Sequence, residues 1–77
     1  MNDKYSIIDD IKTELTPIKD YLTIYISGDN IKLSLKQNIT FKEFNNYFPT
    51  ITKKSLIKLF DYCEKYPKET KEALKND

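Results

Sequence analysis

Apolar and polar positions along this chain follow two different periods, and the switches between them mark out its elements. Ile8, Ile11, Leu15, Ile18 and Leu22 recur at alternating steps of three and four, the stripe of an amphipathic helix whose other face carries Asp9, Asp10, Lys12 and Glu14. Pro17 has no amide hydrogen and clashes with the preceding turn, so the helix is predicted over residues 4–16, unless Thr16 caps a short new turn with Pro17 at its first position. Too few heptads are present for a coiled-coil seam, so the stripe is expected to pack onto a sheet.

Over residues 21–36 the period drops to two. Leu22, Ile24 and Ile26 alternate with Tyr21, Thr23, Tyr25 and Ser27; beyond Gly28-Asp29, Ile31, Leu33 and Leu35 alternate with Lys32, Ser34 and Lys36. This pattern predicts a β-hairpin in which Gly28, the chain's one glycine, supplies the positive φ of a tight turn. With Gly28-Asp29 as the loop, Ile26 opposes Ile31, Ile24 opposes Leu33 and Leu22 opposes Leu35. One face is then wholly apolar, and a one-residue slip would expose it. The opposite face displays Tyr21, Tyr25, Lys32 and Lys36, either an ordinary solvated face or a small aromatic and basic surface for stacking bases or touching phosphate. Two strands are marginal alone, so the first and third helices are expected to cover the apolar face.

The period then returns to that of a helix. Thr40 with Glu43 three positions later makes a capping box for a helix over residues 41–48, with Phe41, Phe44, Tyr47 and Phe48 on its apolar side. Pro49 ends it. Thr52 caps a longer helix over residues 52–65, whose buried stripe is Leu56, Leu59, Phe60 and Cys63, with Lys54, Lys58, Asp61 and Lys65 away from it. Pro67 suits the first position of a short helix over residues 67–75, with a disordered tail as the competing reading. The predicted class is therefore α+β: a helix, a two-stranded antiparallel hairpin, two helices and a possible short C-terminal helix in one small domain, residues 1–77.

Composition narrows the chemistry. A 77-residue chain has room for one modest core, since a 60-residue domain buries only about 60% of its unfolded surface. The single cysteine cannot form an internal disulfide, and without histidine the chain lacks ligands for a structural zinc. Cys63 reads as a small core residue. No run approaches the ~20 apolar residues of a membrane span, and the start Met1-Asn2-Asp3-Lys4 has no hydrophobic leader, so a cytoplasmic protein without a membrane partner is expected. No carboxylate pair has an evident catalytic setting, nor is there a glycine-rich phosphate loop. Neither an enzyme nor a cofactor is expected.

All thirteen basic residues are lysine, and the bias toward isoleucine, asparagine and tyrosine resembles AT-rich coding, as in low-GC bacteria and their phages or plasmids. The net charge of +1 conceals a basic middle: residues 1–30 carry three lysines against six acids, residues 31–60 six against one, and residues 61–77 four against five. Without arginine's rigid fork, any binding surface relies on lysine, tyrosine and polar groups.

The two consecutive helices carry a resemblance. Glu43-Phe44, Ile51-Thr52 and Ser55-Leu56 resemble the acidic-hydrophobic start, the apolar residue with its cap, and the following hydroxyl and hydrophobe of helix-turn-helix regulators, over about residues 41–65. That resemblance implies a small DNA-binding regulator, a possible homodimer, in which Lys53, Lys54, Ser55 and Lys58 face DNA. The alternative is a phage- or plasmid-type inhibitor of the anti-defence, anti-CRISPR-like kind. It would bind a host protein through the Tyr21, Tyr25, Lys32 and Lys36 face, a hairpin edge or the acidic first helix.

Overall fold

A computed structural model describes residues 3–75. Helix α1 (Asp3–Leu15) leads through a 3₁₀ turn (Lys19–Tyr21) into strands β1 (Leu22–Ser27) and β2 (Asn30–Leu35). Helices α2 (Phe41–Tyr47), α3 (Lys53–Lys65) and α4 (Pro67–Lys75) follow. The class is α+β, as the periodicity predicts.

Proline ends α1 as expected. The last turn closes with Thr16 N–H donating to Lys12 O at 3.0 Å, and Pro17 sits in the turn beyond Leu15. The hairpin register is the predicted one, Leu22 opposite Leu35 through Ser27 opposite Asn30. Lys36 N–H donates to Tyr21 O at 3.1 Å, which extends the pairing by one residue. Gly28 holds φ at +59°, and no other described residue has a positive φ. Glycine at the first loop position is the signature of a type II′ turn, whose twist matches that of the strands.

Both predicted caps form. Glu43 N–H donates to Thr40 Oγ1 at 3.2 Å while Thr40 N–H donates to the Glu43 carboxylate at 3.3 Å, and Ser55 N–H donates to Thr52 Oγ1 at 3.0 Å. Pro67 opens α4 directly after Tyr66 caps α3, so the last two helices meet at a sharp corner.

The core joins Ile11, Leu15 and Ile18 to Leu22, Ile31 and Leu33 of the hairpin, with Phe44, Leu56 and Cys63 from the helices. Its layering departs from expectation in one respect. α3 lies along β2, but the main neighbour of α1 is α4. A helical stripe specifies that a face is buried and leaves its partner open. α4 is accordingly more than a frayed end: Ala73 and Thr70 are buried, and the Thr70 hydroxyl lies 2.8 Å from both Cys63 O and Tyr66 O, tying α4 back to the end of α3. Lys71 Nζ donates to Gly28 O at 2.6 Å, so α4 also clasps the hairpin turn.

Candidate nucleic-acid interface

Successive residues of a helix step by 100°, so the buried Leu56 and Cys63 fix which way α3 faces. Lys54 and Lys58 fall on the opposite side, Ile57 and Lys53 on the flank between them and the buried stripe, and all four are exposed. The first turn of α3 carries no acidic residue. A helix N-terminus bears partial positive charge, so Lys53 and Lys54 add nothing to helix stability there and concentrate positive potential at one end. Asp61 and Glu64 lie toward the other end, leaving the basic density on the N-terminal half.

Ser55 stands apart from these lysines. Its hydroxyl donates to Thr52 O at 2.9 Å and accepts from Thr52 Oγ1 at 3.1 Å, so it belongs to the cap of α3. Backing for the helix comes mainly from β2 and α4. The turn before it is braced by Asn45, whose amide nitrogen donates to Ile51 O at 2.7 Å and to Phe48 O at 3.1 Å. Sequence reading assigns Asn45 no role, because a mid-helix asparagine carries no local signal for carbonyls beyond the helix end. Asn45→Ala frees two turn carbonyls and is expected to cost about 1–2 kcal/mol, measured by urea denaturation, with a larger loss of order at residues 48–52 than elsewhere in amide exchange.

The four residues expected to form a hairpin surface do not stay together. Tyr21 lies in the 3₁₀ turn and is half-buried, its ring 5.6 Å from Tyr47 in a stacked pair and edge-on to Phe48 at 5.4 Å and Phe44 at 6.2 Å. The aromatic side of α2 has recruited it. Lys36 follows the end of β2 beside it, exposed. Tyr25 and Lys32 remain cross-strand partners, and with Ser27, Asn30, Ile31 and Glu64 they line an open concavity of about 320 Å³. Glu64 reaches it from α3, where its carboxylate accepts from Leu33 N–H at 3.3 Å. The two are 31 positions apart, beyond any local pattern.

Cys63 is fully buried, and burial pushes its thiol up to about 11, the nearby Glu64 carboxylate adding to the rise and the Thr70 hydroxyl opposing it. It is no nucleophile at neutral pH. Because the folded state holds this proton more tightly than the unfolded one, its contribution to stability is complete below about pH 9 and is lost as pH rises toward 11. Cys63→Ala is therefore expected to show a smaller drop in urea midpoint between pH 8 and pH 10.5 than the parent, and the parent thiol should resist alkylation at pH 8 until denatured. Burial likewise raises the phenol of Tyr62, with Asp10 across on α1 reinforcing it.

Among the described residues no group of three His, Cys, Asp or Glu side chains is placed to hold a metal ion, and no helix is long and apolar enough to cross a membrane. The chain matches no protein-family model, no curated protein and no solved structure.

Proposed function

We propose that this protein is a small non-enzymatic DNA-binding regulator that lays α3 against duplex DNA. The observation that carries the reading is the exposed Lys53, Lys54 and Lys58 face on the N-terminal half of a helix braced from behind by β2 and α4. A helix is about 10–12 Å across and the major groove about 12 Å wide, so α3 fits it. Lysine is a flexible point charge suited to phosphate, so binding rests chiefly on the DNA backbone, with modest sequence discrimination. Ile57, half exposed amid the lysines, is the apolar group on this face able to meet a thymine methyl.

Anisotropy titration of a labelled duplex at low salt tests this. Lys54→Ala and Lys58→Ala are each expected to weaken binding by about tenfold; a wild-type protein that shows no binding under those conditions removes the reading.

A second reading, the phage- or plasmid-type inhibitor of a host protein, is favoured by the hairpin. Tyr25 is 63% exposed beside the concavity that Lys32 and Glu64 line, a large aromatic of the kind that anchors protein interfaces. Exposed Asp9, Asp10 and Glu14 on α1 offer a separate acidic surface. A host protein captured by the wild type and lost with Tyr25→Ala supports this reading. Capture unchanged by Tyr25→Ala and Lys32→Ala excludes the hairpin surface.

A further inference from the structure

The two edges of the hairpin are treated differently. Since Tyr21 and Lys36 share a ladder hydrogen bond, the alternation of an antiparallel pair makes Thr23, Tyr25 and Ser27 the residues of β1 that bond to β2. Ile31, Leu33 and Leu35 then direct their backbone groups to the outer edge of β2, where α3 lies and Glu64 accepts the Leu33 N–H. Leu22, Ile24 and Ile26 direct theirs to the outer edge of β1, and no helix packs along that edge as α3 does along β2. Leu22 N–H turns back to Lys19 O. The Leu22 carbonyl and both backbone groups of Ile24 and Ile26 have no hydrogen-bond partner among the described residues.

Soluble proteins blunt a bare edge with charge, proline or a bulge. β1 reads Leu-Thr-Ile-Tyr-Ile-Ser, without charge or proline, and its register is unbroken. Its pattern is also symmetric about Ile24: Leu22 and Ile26 stand at equal distances on one face, Thr23 and Tyr25 on the other. Ile26, on the apolar face, is 52% exposed, and Tyr25 is 63% exposed.

We infer that two copies of this chain pair along β1, antiparallel about a two-fold axis through Ile24, to form a four-stranded sheet ordered β2-β1-β1-β2. Ile24 N–H donates to the second copy's Ile24 carbonyl and Ile26 N–H to the second copy's Leu22 carbonyl, each contact repeated by symmetry. The exposed Ile26 lies beside the end of the second copy's strand that begins at Leu22, and Thr23 packs beside the second copy's Tyr25. β1 carries no charged residue, so no like charges meet across the axis within the strand. An unrelated strand would satisfy the hydrogen bonds but owes nothing to this symmetry. The inference stands on the strand edge and is independent of the DNA reading, although it puts α3 at both outer edges of the sheet.

Sedimentation equilibrium of the full chain tests it. The expected mass is twice 9.1 kDa at high protein concentration, with Ile26→Lys, at an exposed position, raising the dissociation constant at least about tenfold, the equivalent of 1.4 kcal/mol. Lys32→Ala, on the other strand, should leave the mass unchanged. Amide exchange gives a second measurement that needs no variant: Ile24 and Ile26 N–H should be protected at high concentration and lose protection on dilution. A wild type that stays monomeric with these amides unprotected at millimolar concentration overturns the inference, as does a folded Ile26→Lys protein that dimerises like the parent.

Discussion

Phe44→Ala is expected to lower the stability of the protein by about 3–5 kcal/mol, a large part of what it has. Phe44 is fully buried, in a pile of rings with Phe48 at 4.9 Å, Phe41 at 6.1 Å and Tyr21 at 6.2 Å. Truncating a buried phenylalanine costs about 3–5 kcal/mol, whereas a chain of this size has about 4–12 kcal/mol in total. The neighbours cannot collapse into the void, because they are fixed to three different elements: α2 itself, the turn at Phe48 and the 3₁₀ turn at Tyr21. Urea denaturation should show the loss. Tyr47→Ala is the matched comparison, since Tyr47 also stacks on Tyr21 but is 66% exposed, and it should cost less than about 1 kcal/mol. Equal losses at the two positions would contradict the placement of α2.

The second large effect concerns binding. The triple variant Lys53→Ala, Lys54→Ala, Lys58→Ala is expected to lose about 500-fold in duplex affinity at roughly 0.1 M salt, because each phosphate neutralised contributes a counterion-release exponent of about 0.9. Its fold should survive: all three side chains are exposed, alanine is the better helix former, and removing cations from the first turn relieves their opposition to the helix dipole. A stable variant with lost binding separates the interface from the scaffold. A protein that loses stability along with affinity would place these lysines in the structure instead.

What is legible in the sequence follows the range of the interactions. The hairpin register, the positive φ at Gly28, the caps at Thr40 and Thr52 and the start of α4 at Pro67 each depend on residues a few positions apart, and residue type and spacing predict each of them. Tyr21 keeps its predicted place opposite Lys36, but alternation says nothing of the aromatic side of α2, more than twenty residues later, which draws its ring into a cluster. The hydrogen bonds of Thr70 and Asn45 are not legible in the sequence, since the carbonyls they serve belong to the ends of other segments. Glu64 on Leu33 and Lys71 on Gly28 join residues 31 and 43 positions apart, and a charged residue gives no hint of such a partner. Of the candidate interface, Lys54 and Lys58 are legible from helical phase relative to Leu56 and Cys63, whereas Lys53 enters only through the helix-turn-helix resemblance. Ser55 is not legible, because a hydroxyl three positions after a capping threonine serves the cap as readily as a ligand.

The salt dependence of duplex binding by the wild-type protein tests the central claim most directly. If Lys53, Lys54 and Lys58 meet phosphates, log affinity should fall with log salt at a slope steeper than the triple variant's by about 2.7, three exponents of about 0.9. Equal slopes for the two proteins would contradict the assignment of this face of α3 to DNA.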